Sequence, residues 1–416
     1  MSNAPLSNAD HATSAAATIA AIDRQILALI DQRIAAVKRQ PPSAAAPPAT
    51  PAAAAAPTGH SPTGHSPTSP ATTAELSLSG RVAASSRQID QVVAAYADAP
   101  PADADPADAT SPASPLPRAE APCPRTAQAQ RQVLRHIASI CLASVEPIRI
   151  AFLGPEYSYS HLASLKYFGL AAEFTPVSSI SSVFEAVARG DVAAGLVPIE
   201  NSTDGGVVDT LGMFVRGGMQ ICGEVVLPIH HNLLSTSPRH SISEIHSKPQ
   251  ALSQCRGYLA THFPAARLVE TTSTTAAAQL AAEQPGVAAV ASLEAGWQYD
   301  LEVLAANIED NPHNVTRFAV LGTDRPPASG DDKTSLLFKI PHQPGALADV
   351  MMIFKTNQLN MTWIESFPCP DTRNEYLFFV ELSGHRDDPI VAAAIETLSQ
   401  QAKRLDILGS YPKATP

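Results

Sequence analysis

The pattern of apolar and polar positions changes near residue 149. From Arg149 onward, short β-branched runs such as 149–153 and 194–197 alternate with stretches whose apolar residues recur at helical spacing. This alternation is typical of an α/β domain with a largely parallel sheet. Before residue 149, apolar residues recur at helical spacing in three separate stretches, roughly 19–37, 85–96 and 131–145. The pattern therefore predicts an N-terminal helical region followed by an α/β domain.

The last part of the chain, after a linker-like stretch at 322–332, reads strand, helix, strand, strand, helix, strand. The predicted strands cover 334–340, 361–367, 375–382 and 404–408, and the predicted helices cover 345–356 and 389–401. This βαββαβ order is the ferredoxin-like arrangement. We therefore predict three regions, over 1–148, 149–325 and 333–412.

Proline and aromatic residues are distributed unevenly. Of the 37 prolines, 17 lie between Pro41 and Pro124, and only Tyr96 among the aromatic residues precedes residue 149. A segment so poor in large apolar groups cannot offset the entropy lost on ordering. We therefore expect a partly disordered N-terminal region with a linker over about 41–124. Its helices indicate a stretched or eroded bundle, or alternatively helices that only dimerise the chain.

Charge and cysteine content exclude several classes of protein. With 28 Lys+Arg against 39 Asp+Glu, the formal charge is −11, which argues against a nucleic-acid-binding protein. No run approaches the roughly 18–20 apolar residues of a membrane span. The 5 cysteines contain no CxxC pair, and no signal peptide is recognisable. We expect a cytoplasmic protein that binds neither nucleic acid nor membrane.

Polar residues gather where predicted strands lead into helices, over 154–161, 198–206, 247–250 and 271–275. Hydroxyls and backbone N–H groups at a helix start are donors for a carboxylate or phosphate. In an open α/β sheet such junctions meet at the carboxyl ends of the strands. No GxGxxG or GxxxxGK[ST] motif is present, so neither a dinucleotide nor a nucleoside triphosphate is indicated. The sequence thus predicts a site for a small anion.

The same residues resemble the prephenate dehydratase family. The matching strings are 154–161, 197–202, 247–255, 272–274 and 314–318, in the family's order and spacing. The resemblance implies two α/β lobes, similar to a type II periplasmic binding protein, with the active site between them. It also implies conversion of prephenate to phenylpyruvate, water and carbon dioxide on the way to phenylalanine.

The resemblance assigns roles to individual residues. Thr316 would assist departure of the ring hydroxyl, and Arg317 would organise the cleft or hold a carboxylate. The remaining catalytic candidates are Glu200, Asn201, Ser247 and Gln254. The substrate-binding candidates are Ser158, Ser160, Thr272, Ser273, Thr274, Arg317 and Phe318. Aromatisation supplies most of the driving force, so we expect no cofactor and no metal.

Three positions depart from the family pattern. Tyr157 stands where the family usually has Gly, Ser158 where it has Thr, and Lys248 where it has His. Tyr157 adds bulk at a turn, and Lys248 adds a charge near an anionic ligand, so substrate affinity or preference could differ. Arogenate dehydration and a non-catalytic amino-acid sensor remain as alternatives.

The C-terminal region resembles an ACT domain, a ferredoxin-like regulatory domain. The resemblance lies in Gly345-Ala346-Leu347-Ala348 and Glu365-Ser366-Phe367-Pro368, with Phe367 in place of the usual Arg. In dehydratases these motifs frame a phenylalanine site between two subunits, to which Asn360 would contribute. The resemblance implies feedback by L-phenylalanine and a homodimer or homotetramer. The alternative is an ACT domain that only dimerises.

The N-terminal helices resemble the chorismate mutase fused to many bacterial dehydratases. Arg33, Arg87 and Gln88 stand at matching places, whereas Ala16 and Ala44 replace an Arg and the Lys, and Cys141 and Val145 replace a polar pair. Stabilising the chorismate transition state takes several cations. We therefore expect mutase activity to be lost or very weak. The alternatives are compensation by Lys38 or Arg39, or pairing with a separate mutase.

Overall fold

The computed structural model describes residues 124–144, 147–369 and 375–414, together with Leu29, Gln32, Arg33, Val82, Ile89 and Val92. Helix α1 (Pro124–Ala143) precedes the α/β region and starts earlier than the helical spacing predicts. Ile89 packs with Leu134 and Ala138 of α1, and Val82 joins the core of the first lobe. Among the described residues, no helix is long and apolar enough to cross a membrane.

The first lobe is built on a sheet whose strand order is β2-β1-β3-β11-β5, with the short β4 beside β3. Its strands are β1 (Arg149–Leu153), β2 (Glu173–Val177), β3 (Ala194–Asn201), β4 (Gly205–Gly206), β5 (Gln220–Pro228) and β11 (Val315–Gly322). Its helices are α2 (Tyr159–Phe168), α3 (Ile180–Ala188) and α4 (Val208–Val215). The chain leaves this lobe after β5 and returns through β11.

The second lobe is built on a sheet of order β10-β6-β9-β7-β8. Its strands are β6 (Asn232–Ser235), β7 (Glu244–Ser247), β8 (Arg267–Glu270), β9 (Val287–Ala291) and β10 (Glu302–Ala305). Its helices are α5 (Pro249–Gln254), α6 (Arg256–His262), α7 (Thr274–Glu283) and α8 (Leu293–Gln298). The chain leaves helical geometry at Cys255, and this break separates α5 from α6.

The α/β class is confirmed, but the expected largely parallel sheet is wrong. In the first lobe β1 pairs in parallel with β2 and β3, whereas β11 is antiparallel to both β3 and β5. In the second lobe β7 is parallel to β8 and β9, and β6 is antiparallel to β9 and β10. Parallel neighbours in one sheet need a crossover, whereas β11 arrives directly from the other lobe and inserts between two strands. Both sheets are therefore mixed.

The C-terminal region has the predicted βαββαβ order. It consists of β12 (Asp332–Lys339), α9 (Ala346–Thr356), β13 (Met361–Pro368), β14 (Tyr376–Ser383), α10 (Pro389–Gln401) and β15 (Arg404–Pro412). The antiparallel strand order is β13-β14-β12-β15, which leaves β13 and β15 at the edges. The ferredoxin-like arrangement is confirmed.

Alternation along these strands gives the C-terminal sheet two buried faces. Leu336 and Phe338 pack under α9 and α10, whereas Leu337 and Phe379 pack against the first lobe. Edge strand β15 also lies against β5, where Gln220 Nε2 donates to the Ile407 oxygen over 3.3 Å. A Cβ on Gly409 would lie 2.1 Å from the Ile221 oxygen, so only glycine permits this approach. The C-terminal domain is therefore packed firmly on the first lobe.

Candidate active site

A cleft of about 650 Å³ opens between the two lobes. All four polar junctions named from the sequence contribute to it, because the carboxyl ends of the strands face each other across the gap. Nine of the predicted site residues line it, and we describe their contacts below. They are Ser158, Ser160, Asn201, Gln254, Thr272, Ser273, Thr274, Thr316 and Phe318.

Three helix starts point into the cleft, each capped by a serine. Ser158 accepts the His161 N–H at α2, Ser179 accepts the Ser182 N–H at α3, and Ser273 accepts the Ala276 N–H at α7. The remaining free N–H groups and the positive end of each helix favour an anionic ligand. Ser179 and its neighbour Ser178 were missed in the sequence, although a Ser run before an amphipathic helix is a recognisable cap signal.

Thr316 and Asn201 form the centre of the cleft floor. They lie opposite each other on β11 and β3, and Asn201 Nδ2 donates to Thr316 Oγ1 over 2.8 Å. The Asn201 amide cannot flip, because its Oδ1 accepts the N–H groups of Thr203 and Asp204 over 2.9 and 3.3 Å. Since Thr316 oxygen already accepts from Asn201, the Thr316 hydroxyl proton is directed elsewhere. The pair therefore presents an oriented O–H donor to the cleft.

A chain of side chains continues from Asn201 into the second lobe. Asn201 Nδ2 also donates to Asn314 Oδ1 over 3.1 Å, and Asn314 Nδ2 donates to Gln254 Oε1 over 3.0 Å. His231 Nε2 lies 3.0 Å from the same Gln254 oxygen, and its Nδ1 lies 3.1 Å from the Tyr159 hydroxyl. Neither His231 nor Tyr159 was among the predicted site residues, although Tyr159 lies within the matching string 154–161.

The protonation state of His231 follows from this chain. An amide oxygen only accepts, so the His231 Nε2 carries the proton that it donates to Gln254. Burial lowers the pKa of His231, which outweighs the hydrogen bond to Gln254 and the charge of Glu309. Burial also raises the pKa of Tyr159 well above its ordinary value. The cleft wall is therefore uncharged here at neutral pH.

Asp204 connects the two lobes across the cleft. Its Oδ2 accepts hydrogen bonds from Gln250 and, over 3.2 Å, from Gln254, both on α5 of the second lobe. Lys248, which caps α5, is the only lysine or arginine among the residues lining the cleft in the described part of the chain. The departure noted at position 248 thus supplies the fixed positive charge of the site.

Glu200 and Arg317 do not lie in the cleft, contrary to expectation. Neighbouring residues on a strand point to opposite faces, so Asn201 and Thr316 face the cleft while Glu200 and Arg317 face the C-terminal domain. Arg317 Nε donates to Glu200 over 2.9 Å, and Arg317 Nη1 donates to Glu224 over 3.1 Å and to Glu381 over 2.6 Å. Arg317 is only 8% exposed. Its guanidinium is thus held outside the cleft by three carboxylates.

Further groups complete this buried ion cluster. Lys333 lies 3.0 Å from Glu224 and 3.5 Å from Glu381, and the Trp363 ring centroid lies 4.8 Å from the Arg317 guanidinium carbon. Three carboxylates therefore surround two cations between the first lobe and the C-terminal domain. We name the set Glu200, Glu224, Arg317, Lys333 and Glu381 the interdomain cluster.

Ser247 also falls outside the cleft. Its side chain is fully buried, and its Oγ donates to the Val290 oxygen on the adjacent strand over 2.6 Å. The hydroxyl is thereby committed to holding β7 and β9 together. The prediction that Ser247 takes part in catalysis is not supported.

Tyr157 occupies a backbone conformation that favours glycine. Its φ is +62°, its N–H donates to His161 Nδ1 over 2.9 Å, and its side chain packs on the core of the second lobe. A non-glycine residue at such an angle costs about 1–2 kcal/mol. The contact with the second lobe offsets part of that cost, which is a reason for Tyr to be tolerated at this turn.

The residues predicted to bind an effector lie apart in a single chain. Gly345 opens α9 with φ +86°, and Ala346, Leu347 and Ala348 follow it. A cavity of about 610 Å³ beside α9 includes Ala346 but none of Asn360, Glu365 and Ser366. On β13, Ser366 is exposed, whereas Glu365 turns to the first lobe. A Cβ on Gly206 would lie 3.2 Å from Glu365 Oε1, which places Glu365 beside the cleft lip.

The predicted mutase remnant is only partly described. Arg33 Nη1 lies 4.0 Å from the Cys141 sulfur, and Cys141 is buried on α1. Arg87 and Gln88 lie outside the described residues. Within the described ranges, no group of three or more His, Cys, Asp or Glu side chains is placed to hold a metal ion.

Fold and site together define a two-lobed α/β protein whose interlobe cleft is equipped for a small carboxylate, joined to a ferredoxin-like domain. A family model for prephenate dehydratase matches residues 150–326. The bifunctional chorismate mutase/prephenate dehydratase of Pseudomonas aeruginosa is 41% identical over 285 residues, covering 68% of this chain and 78% of that protein. The chain belongs to the prephenate dehydratase family.

Solved structures agree with this assignment. The prephenate dehydratase of Arthrobacter aurescens, determined in complex with L-Phe, superposes with a TM-score of 0.60 and 33% identity, covering 64% of this chain and 90% of that one. GqqA, described as a novel type of quorum-quenching acylase, superposes with a TM-score of 0.59 and 31% identity, covering 64% and 98%. The fold is thus shared with a dehydratase and with a protein to which another activity is ascribed.

Proposed function

We propose that the interlobe cleft converts prephenate to phenylpyruvate, with Thr316 as the hydrogen-bond donor to the departing ring hydroxyl. Family membership supplies the reaction. The observation that supports the role of Thr316 is its hydrogen bond from Asn201, which leaves the Thr316 proton as an oriented donor on the cleft floor. A donor placed where negative charge develops stabilises the transition state without reorganisation.

The reaction needs little chemical help from the protein. The bond between the ring carbon and its hydroxyl breaks, and the hydroxyl leaves with the bonding pair. The bond between the ring and its carboxylate breaks at the same time, carbon dioxide leaves, and that electron pair completes the aromatic ring. Solvent supplies the proton that converts the departing hydroxide to water. The cleft has to hold the substrate, exclude water and stabilise the leaving oxygen.

The two substrate carboxylates have matching groups in the cleft. Lys248 offers a charge, and the starts of α2, α3 and α7 offer N–H and hydroxyl donors. Ser160, Thr272 and Thr274 add hydroxyls to the same surface. Because Arg317 is turned away, we assign carboxylate binding to Lys248 and these helix starts. Phe318 contributes an apolar part of the wall.

Steady-state kinetics of Thr316→Ala and Thr316→Ser tests the assignment. We expect Thr316→Ala to lower kcat about 10²–10³-fold, as removal of an oriented donor typically does, and Thr316→Ser to restore most of it. Thr261→Ala, which removes an exposed hydroxyl bonded to the Gly257 oxygen, is the matched control. An unchanged kcat in folded Thr316→Ala would exclude the role. Parallel assays with prephenate and arogenate decide between the two substrates, and phenylpyruvate formation excludes the non-catalytic sensor.

We further propose that residues 333–412 form an ACT regulatory domain that binds L-phenylalanine between two copies of the chain. The βαββαβ fold supports this, as does the relative that was solved with L-Phe. Strand β13 is an edge strand whose Thr362, Ile364 and Ser366 are exposed. Gly345 and Ser366 do not meet in one cavity of a single chain, which fits a site completed by a second copy. We therefore expect a homodimer or homotetramer.

The interdomain cluster gives such an effector a route to the cleft. Arg317 and Thr316 are consecutive on β11, and Arg317 contacts Glu381 on β14 of the C-terminal domain. A shift of β14 would therefore move Arg317, the residue next to Thr316 on β11. We expect L-phenylalanine to inhibit the wild-type protein and to inhibit Glu381→Gln less, although each binds it equally in calorimetry. Equal inhibition of both would exclude this route.

The N-terminal region, over 1–148, is proposed to have lost chorismate mutase activity, within a cytoplasmic enzyme of phenylalanine synthesis. Arg33 contacts buried Cys141 at a place where the family has a polar residue. Loss of cations around the two carboxylates and the ether oxygen removes most of the transition-state stabilisation. Chorismate turnover by the full chain, measured against prephenate turnover, tests this. A mutase rate equal to the dehydratase rate would contradict it.

A further inference from the structure

A second cavity, of about 780 Å³, lies between helix α1 and both lobes. It is lined by one face of α1, by α2, by the segment 227–232 that crosses between the lobes, and by the start of α8. We name it the rear pocket. Helix α1 is packed closely on the first lobe here, since a Cβ on Gly169 would lie 2.5 Å from the Ser139 side chain. The wall that α1 contributes is therefore well defined.

Positive charge dominates the rear pocket of a protein whose formal charge is −11. Among the described residues that line it are Arg131, Arg135 and Lys166, against a single carboxylate, that of Glu294. In the described part of the chain, Arg135 Nε is buried without a hydrogen-bond partner, and so is His136 Nδ1. The described residues therefore leave part of the hydrogen-bonding capacity of Arg135 and His136 unused.

Lys166 adds a second cation without a carboxylate. Its Nζ donates to the Val226 oxygen over 2.8 Å, and the described residues offer it no ion pair. Burial, and then the charge of Arg135, lower the pKa of Lys166. The two cations therefore repel each other across the pocket, and an anion between them would relieve that repulsion.

The remaining surface of the rear pocket is apolar. It is contributed mainly by leucines, which are Leu162, Leu165, Leu170, Leu227 and Leu293. A bare phosphate or sulfate would leave this surface in contact with water, whereas a hydrocarbon body would cover it. The combination of Arg135 and Lys166 with this leucine surface matches an amphipathic carboxylate.

We propose that the rear pocket is a second ligand site, distinct from the cleft, for a small carboxylate with an apolar body. Arg135 and Lys166 hold the carboxylate, and the leucines cover the body. The site adjoins the cleft, because Tyr159 lines both cavities and its hydroxyl lies 3.1 Å from His231. A bound ligand would thus contact the same tyrosine that positions the cleft histidine.

Isothermal titration calorimetry with 3-phenylpropionate tests the proposal on the full chain. Acetate provides the charge without the body, and 3-phenylpropanamide provides the body without the charge. We expect 3-phenylpropionate to bind at least about tenfold more tightly than either, because a charge-assisted hydrogen bond and apolar burial each contribute that much. Equal binding of the amide, or no binding of 3-phenylpropionate, would overturn the proposal.

Variants locate the binding. Arg135→Gln/Lys166→Gln should raise the Kd for 3-phenylpropionate at least about tenfold. Arg189→Gln/Lys403→Gln removes the same charge from exposed positions, and its Kd should stay within about twofold of the wild type. Lys248→Gln removes the cation of the cleft and measures any binding of 3-phenylpropionate there. An increase in Kd confined to Lys248→Gln would place the ligand in the cleft and reject the rear pocket.

An exposed substitution guards against misfolding. Leu170 is 63% exposed at the pocket, so Leu170→Glu adds a carboxylate without disturbing the core, and Leu268→Glu at a 46% exposed position is its control. We expect only Leu170→Glu to weaken binding of 3-phenylpropionate. Equal affinity of the two variants would count against the site. Binding is measured without turnover, so failure here leaves the dehydratase assignment untouched.

Discussion

The two faces of the β3–β11 pair carry opposite kinds of polar chemistry. On the cleft face, Asn201 and Thr316 form a neutral hydrogen bond beside open space. On the other face, Glu200 and Arg317 belong to a buried cluster of full charges. Asn201 and Thr316 thus face the proposed substrate site, whereas their chain neighbours Glu200 and Arg317 join two domains. The difference shows that neighbouring residues of one short motif can serve two functions, because successive side chains of a strand point to opposite faces.

We expect the largest effect from removing the arginine of the charged face. Arg317→Ala leaves the buried carboxylates of Glu224 and Glu381 without their main partner, so we expect a loss of about 3–5 kcal/mol in the free energy of unfolding. Urea denaturation measures it. Arg189→Ala, whose partners are exposed, should change stability by less than about 1 kcal/mol. A similar small change in Arg317→Ala would show that the cluster contributes little.

The next effect should appear in turnover alone. Asn201→Ala removes the donor that orients Thr316, so we expect kcat to fall about 10–100-fold. Turnover of prephenate at saturation measures it. Because Asn201 also caps the turn at Thr203 and Asp204, the melting temperature has to be recorded alongside, and Asn201→Asp keeps the oxygen of that turn as a control. A fall in stability with an unchanged kcat would show that Asn201 stabilises the fold and does not act in turnover.

A smaller effect is expected at the neighbouring carboxylate. Glu200→Gln keeps the shape of the side chain but weakens its bond to Arg317 Nε. Since Glu200 is partly exposed and Arg317 keeps Glu224 and Glu381, we expect a loss of roughly 1 kcal/mol in stability and less than a threefold change in kcat. Denaturation and kinetics on one preparation test both parts. A fall in kcat as large as that of Asn201→Ala would show that Glu200 takes part in the reaction.

The smallest effect concerns pH. The pKa of His231 is lowered by burial, so the unfolded chain binds the proton first, near the ordinary histidine pKa of about 6.5. The contribution of His231 to stability should therefore be constant above that pH and fall by up to about 1.4 kcal/mol per pH unit below it, until the folded protein is also protonated. Urea denaturation at several pH values should show a shallower slope in His231→Gln than in the wild type. Parallel slopes would show that His231 titrates normally.

Much of the cleft was predictable from short-range patterns. Strand-to-helix junctions with small hydroxyls predicted anion donors at 154–161 and 271–275, and the structure brings both to the cleft, with Ser158 and Ser273 as caps. The βαββαβ order was predictable because a helix between two strands leaves a clear change of hydrophobic period. These features depend on neighbours within about ten residues, and such neighbours are fixed by local geometry.

The errors have a common cause. Ser247 and Arg317 were assigned to the cleft because their motifs reach it, but which face of a strand looks inward depends on register with distant partners. Arg317 meets Glu224, 93 positions away, and Glu381, 64 positions away. His231 was not predicted as a site residue for the same reason, since its partners Tyr159 and Gln254 lie on other elements.

By itself, the sequence determined the family, the order of the elements and the kind of ligand, because hydrophobic period, helix caps and motif spacing are local properties of the chain. Only the tertiary structure decided which polar residues share a space. It placed Thr316 against Asn201, enclosed Arg317 among three carboxylates, and formed a rear pocket beneath α1. The physical reason is that charge and hydrogen bonding act over a few ångströms in space, and contacts across 64 or 93 positions exist only once sheets and domains have packed.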